Sequence, residues 1–254
     1  MATISGPLGR RILVMAATAV TGCGGLSRGD NARGVSLYGQ GNYRAAAEEF
    51  QRTLARRPGD PDSSYNLGAT YHQQAKLFAR PADLATAEAY YRLCLAGNPG
   101  HEACRRGLAV LLVEERRSGE AEAMLADWAR SQPGNPAPHI ERARLAHERG
   151  DLREAENELI DAVRLAPNDP RALVALGSLR EAGGRPAEAL DAYARALAID
   201  PGQPTVSARA TALASAATQG YRTAALPPPP AFATPAGIAA PAGITAGAPG
   251  TPAR

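Results

Sequence analysis

The chain has 254 residues, 44% hydrophobic but only 5% aromatic, with 28 basic against 25 acidic residues and a net charge of +3. It is long enough to bury a sizeable core, built from Ala and Leu rather than from rings, a composition that favours close-packed helices. Because the two signs of charge are interspersed along the chain, it lacks the basic stripe of a nucleic-acid-binding protein.

Residues 1–22 are expected to be a signal peptide, with Arg10 and Arg11 as its charged region and Ile12 to Val20 as its apolar run. Such a segment is removed rather than folded. The run is about half the ~20 residues that a spanning helix needs, so a permanent transmembrane anchor is the weaker reading. Val20-Thr21-Gly22-Cys23 resembles the bacterial lipobox, which implies lipidation at Cys23. Ordinary cleavage after Ala17-Thr18-Ala19 stays open, as does a faint resemblance of Arg10-Arg11 to a twin-arginine signal. Removal of the two arginines takes the net charge from +3 to +1. More than one acyl chain makes membrane anchoring stable, which places the protein in the cell envelope. Gly24 stands where the lipoprotein resemblance calls for Asp to retain a protein at the inner membrane. In an organism with two membranes, the implied location is the outer one, facing the periplasm. Residues 23–30 are expected to be a short linker.

From about residue 27 the chain repeats itself. A small residue recurs as Gly34, Gly68, Ala109, Ala143 and Gly177, a second as Ala46, Ala87, Ala121, Ala155 and Ala189. A large apolar residue follows four later, as Phe50, Tyr91, Leu125, Leu159 and Tyr193, and a proline closes each unit at Pro58, Pro99, Pro133, Pro167 and Pro201. Every interval in each series is 34 residues except one of 41. A fixed period of this length marks a stacked array rather than one closed core. Two helices approach closely only where side chains are small, the large residue fills the wedge beside them, and Pro stops the second helix.

Ser64-x-x-Leu67-Gly68-x-x-Tyr71, Ala87-x-x-x-Tyr91 and Pro99 resemble the tetratricopeptide repeat in nearly its own letters. The resemblance implies an all-α, right-handed superhelical solenoid of five helix-turn-helix repeats: 27–60, 61–101, 102–135, 136–169 and 170–203. The first helix, interrupted by Gly29, Gly34 and Gly39, is expected to be weak. The seven extra residues of the second repeat, around Gln74 to Leu84, are expected to form a longer inter-helix loop carrying the chain's only Lys, Lys76, and an exposed Phe78. Trp128 stands where other repeats have Thr53, Cys94, Ala162 and Ala196, and core filling is favoured over ligand stacking. Residues 204–220 resemble the capping helix of such arrays. The tail 221–254, with Pro227 to Pro230 and two Pro-Ala-Gly-Ile runs, is expected to be disordered and extended.

With Cys23 assigned to the lipobox, Cys94 and Cys104 are left as an even pair in an oxidising compartment. They lie five residues either side of Pro99, level on an antiparallel hairpin, so a disulfide is expected, contributing roughly 2–3 kcal/mol. Zinc held by these two and His101 lacks an evident fourth ligand, and no metal or other cofactor is assigned.

His72, His139 and His147 stand singly, without a partnered acid, a nucleophile or a phosphate-binding glycine pattern, which disfavours an enzyme. Binding is the better reading. In the resembled fold the first helices line a concave face, and their residues outside the packing positions are Tyr65, Ala69, His72, Arg106, Val110, Val113, Ile140, Arg144, His147, Val174, Ser178 and Glu181. That mixture suits an extended peptide or a partner helix. The carboxylate clamp of some family members is absent, because Asn31, Val35, Ala69, Arg106 and Val110 occupy its places. The expected function is a non-enzymatic protein-binding scaffold for an envelope assembly; the alternative is a structural protein that self-associates through its repeats and Pro/Ala tail.

Overall fold

The computed structural model describes residues 26–219, with side chains from 31 to 217. The signal peptide, Cys23 and the tail 221–254 lie outside the described residues. Eleven helices and no strands occur among those described: α1 (Leu26–Gly39), α2 (Tyr43–Arg56), α3 (Pro61–Phe78), α4 (Pro81–Gly97), α5 (Glu102–Glu114), α6 (Ser118–Ser131), α7 (Ala137–Glu148), α8 (Leu152–Leu165), α9 (Pro170–Ala182), α10 (Pro186–Ile199) and α11 (Pro204–Gln219). Odd and even helices pair as antiparallel hairpins, and each even helix packs on the next odd one. The result is an all-α superhelical solenoid, closed at its C-terminal end by α11. Because α1 starts at Leu26, most of the expected linker 23–30 is helix.

The first helix forms in spite of its glycines, and the packing shows why one of them is needed. A Cβ on Gly34 would lie 2.4 Å from the Phe50 ring, and one on Gly68 or Gly177 2.7 Å from Tyr91 or Tyr193. Those three rings come from the second helix of the same repeat and are essentially buried. Small-against-large packing thus sets the hairpin spacing in three of the five repeats, including the one that carries the insertion.

The insertion itself is not a loop. Gln74, Ala75, Lys76 and Leu77 are good helix formers with no glycine among them, so α3 runs on to Phe78, where Ala79 turns the chain in the left-handed region at φ 50°. Pro81 then starts α4 as a first-turn proline. The extra residues lengthen both helices, to 18 and 17 residues, and leave Leu77 and Phe78 exposed at the tip with Arg80 over the Phe78 ring.

Elsewhere the inter-helix turn is made by glycine at positive φ, at Gly150 and Gly184 for example. Arg116 occupies the equivalent place in the third repeat, 34 residues before Gly150, and holds φ at 61° without that freedom. Trp128 is 1% exposed, donates Nε1–H to Gln132 Oε1 at 3.1 Å and carries the Arg105 guanidinium 5.3 Å above its ring. Cys94 on α4 and Cys104 on α5 are fully buried and joined, with Cα atoms 6.4 Å apart.

Two substitutions should move stability in opposite directions. Gly68→Ala overpacks Tyr91 and is expected to cost about 1–3 kcal/mol. Arg116→Gly relieves left-handed strain and should add about 1 kcal/mol. Urea unfolding followed by circular dichroism measures both.

Candidate protein-interaction groove

Successive first helices touch one another in the series α1, α3, α5, α7, α9, whereas successive second helices make no comparable contact. The first helices therefore line the tighter, concave face. Their polar residues meet across it.

Between α3 and α5, His72 Nε2 lies 2.8 Å from Glu114 Oε2, and Lys76 Nζ donates to the other oxygen at 3.1 Å. The Tyr91 hydroxyl reaches His72 Nδ1 at 3.4 Å. Burial pushes the Tyr91 phenol well above its ordinary value, which keeps it a donor. Burial also pushes the Glu114 carboxyl up, but the hydrogen bonds and charges of His72 and Lys76 together outweigh it and hold that carboxyl below the usual range.

Between α5 and α7, Arg106 Nε donates to Glu141 Oε1 at 2.8 Å, and Arg144 Nε donates to Glu141 Oε2 at 3.1 Å. Arg144 Nη1 pairs with Glu148, while its Nη2 is a buried donor without an acceptor. At the C-terminal end, Arg209 of α11 is paired with Glu181 of α9. The Tyr193 hydroxyl donates to Glu181 Oε2 at 3.0 Å and lies 3.1 Å from Ser178 Oγ. Chiefly through burial, the Tyr193 phenol is pushed up to about 12.

The twelve residues expected to line this face divide accordingly. Tyr65 is a correction: it is taken into the junction of the second and third repeats, its ring 6.2 Å from that of Tyr91 and 5.6 Å from that of His101. Ala69, His72, Val110, Arg144 and Ser178 are also buried. Small and branched residues there are covered by the neighbouring helix, and the two charged or ionisable ones are held by carboxylates. Arg106, Val113, Ile140, His147 and Val174 are partly exposed, with Ile140 and His147 two turns apart on one face of α7, whereas the Glu181 side chain is buried against Arg209. His139 is not on the groove ladder but pairs with Glu158 of α8 at 2.8 Å.

Sequence reasoning missed Glu114, Glu141, Glu148 and Arg209. A signal existed for the first two. His72 and Glu114 are 42 residues apart, and Arg106 and Glu141 are 35 apart, each one repeat interval plus one residue.

Profiles of the tetratricopeptide repeat match residues 31–102 and 140–204, and a second profile of the same repeat matches 81–137. The chain belongs to the tetratricopeptide repeat family, a family of protein-interaction scaffolds. No curated protein matches it. Among solved structures it is similar to TTC0263, a thermophilic member of the family from Thermus thermophilus, at 28% identity and TM-score 0.57, covering 74% of this chain and 99% of that one. It is also similar in fold to PilF of Pseudomonas aeruginosa, at 15% identity and TM-score 0.51, covering 77% and 92%.

The charged ladder can be probed at both ends. Since the Glu114 carboxyl is depressed in the folded chain, its stabilising contribution is present above its unfolded value of about 4.3 and is lost as pH falls through the folded one. Glu114→Gln should therefore flatten the loss of stability below about pH 4 in urea titrations run at a series of pH values. Arg209→Met leaves Glu181, whose side chain is 5% exposed, without its cation. This should cost about 3 kcal/mol and speed amide exchange in α11.

Proposed function

We propose that this chain is a non-enzymatic adaptor, anchored to a membrane of the bacterial cell envelope through Cys23, that holds an extended peptide or partner helix in its concave groove. The observation that carries the groove reading is Arg144. Its side chain, on the first helix of the fourth repeat, is 7% exposed, two of its nitrogens are engaged by Glu141 and Glu148, and Nη2 is buried without an acceptor among the described residues. An unmet buried donor is costly, and a small outward shift of the Arg144 side chain on binding would let a carbonyl or carboxylate of a bound segment satisfy it. Partly exposed Ile140 and His147 on the same helix supply an apolar and a polar contact beside it. The Val20-Thr21-Gly22-Cys23 sequence supports the anchor, and membership of a family of protein-interaction scaffolds supports a binding role.

A photo-crosslinking residue placed at Ile140 should capture one set of envelope proteins in cells, whereas the same residue at exposed Arg195 on α10 should not. Equal capture at both sites would remove the groove as the working surface; capture only of a second copy would replace the adaptor with a self-associating protein. Separately, Cys23→Ser should abolish fatty-acid labelling and release the protein from the membrane fraction. Retention of both would overturn the lipid anchor.

A further inference from the structure

We propose that, once its disulfide is reduced, the junction of α4 and α5 is a binding site for a soft, thiophilic metal ion, monovalent copper in the first place. Its ligands are Cys94 Sγ, Cys104 Sγ and His101 Nδ1, with Asp62 as the carboxylate that orients the histidine.

The geometry begins with the hairpin. Cys94 lies in the last turn of α4, His101 is the residue that caps α5, and Cys104 is three residues further on. The two sulfurs and a ring nitrogen of His101 all lie within 4.8 Å of one another. Both cysteines are fully buried, and the His101 side chain is 15% exposed.

The orientation of the imidazole adds what spacing alone does not. The backbone N–H of Cys104 can only donate, and it points at His101 Nδ1 at 3.2 Å. Nδ1 must therefore carry a lone pair rather than a proton. The proton of the neutral ring is then on Nε2, which lies 3.2 Å from Asp62 Oδ1 and donates to it. A metal-ligating histidine is held in the same way, one nitrogen donating to a carboxylate that fixes the tautomer and leaves the lone pair on the other; here that lone pair is turned to the Cys104 amide until a metal takes it. Tyr65, whose ring lies 5.6 Å away with its plane tilted 32° from the imidazole, limits rotation of the ring. In the sequence Asp62 lies 39 residues from His101 and nothing there marks it as a partner.

The donor set selects the metal. A closed structural zinc site takes four protein ligands, and this cluster has three. Two thiolates and one imidazole in a buried setting suit a soft cation that accepts a trigonal set, which is the preference of monovalent copper.

The chemistry balances with a small thiol as reductant. Two molecules of RSH give their electrons and protons to the Cys94–Cys104 bond, yielding two protein thiols and RSSR. The metal then displaces both thiol protons, so two S–H bonds are exchanged for two metal–sulfur bonds and two protons are released. The joined pair offers no thiolate, and the oxidised chain does not bind. Since Nδ1 has a single lone pair, metal binding also displaces the hydrogen bond from the Cys104 amide. In the loaded state the metal takes over from the disulfide in tying α4 to α5. None of this rests on the groove.

The test uses the full chain, reduced with dithiothreitol, desalted anaerobically and titrated with monovalent copper against bicinchoninate as a competing chelator. Reduced wild type should take up one equivalent more than a Cys94→Ser, Cys104→Ser double variant, which keeps Cys23 and so counts any binding there. Near-ultraviolet thiolate-to-copper absorption should appear, and the Cys104 amide should exchange faster on loading. Oxidised wild type should match the double variant. His101→Asn preserves a capping acceptor for α5 and should bind at least about tenfold more weakly; Asp62→Asn should lose about 10- to 100-fold. Thermal melts followed by circular dichroism confirm that each variant is folded. Uptake by reduced wild type no greater than by the double variant overturns the site, and so does unchanged affinity in folded His101→Asn.

Discussion

The close approach of a large side chain to a residue without a Cβ is the contact on which the array depends. Phe50 on Gly34, Tyr91 on Gly68 and Tyr193 on Gly177 each bring the two helices of a repeat to a distance that even an alanine would prevent. Tyr91 does so twice, because a Cβ on Gly107 of the next repeat would also lie 2.6 Å from its ring. Once the hairpin spacing is set, the rest follows by repetition: each second helix meets the following first helix at a similar distance, and the first helices come into register on the inner face. A core with few rings suffices because each ring is placed where two or three helices converge.

That regularity is why so much of the fold was legible in the sequence. The small, large and proline positions recur in phase because the same packing problem is solved five times, and one 41-residue interval does not disturb the phase on either side. What was not legible lies where a local preference overrides the pattern. The extra residues of the second repeat read as a loop by analogy with other solenoids, yet their composition is helical and nothing breaks it before Pro81. Glycines in α1 read as weakness, although Gly34 is there to admit Phe50.

The groove was legible in outline and not in its electrostatics. Choosing residues outside the packing positions found Arg106, Arg144 and His72, because those positions follow from the period. The carboxylate partners of His72 and Arg106 stand one residue beyond the next repeat interval, on the flank of the neighbouring helix, and a residue-by-residue list of one face cannot show a pair formed between two. The same rule holds on the outer side: Arg117 with Glu88 and Arg185 with Glu156 are each 29 residues apart, a turn reaching back to the preceding second helix. Ion pairs are thus written into the repeat as firmly as the glycines are, but as relations between neighbours.

These pairs matter because the apolar core is not continuous. Among the described residues it falls into three clusters: one from Ala46 to Leu145, one centred on Leu159 and Leu176, and one joining Tyr193 to Leu213 of α11. Alanines dominate the stretches between them, and alanine contacts are too small to hold two repeats firmly. The ladder spans this part of the array, with Arg106 reaching from α5 to Glu141 on α7, and Arg209 reaching from α11 to Glu181 on α9. Glu141 and Glu181 are both nearly buried, so their pairs are shielded from salt to a degree that exposed pairs are not. The N-terminal three repeats are therefore held by an aromatic, disulfide-tied core, and the C-terminal two by smaller clusters joined through buried charge. A segment lying along the groove would meet a stiff floor at one end and, from Arg144 onward, a floor whose polar contacts can be exchanged for its own.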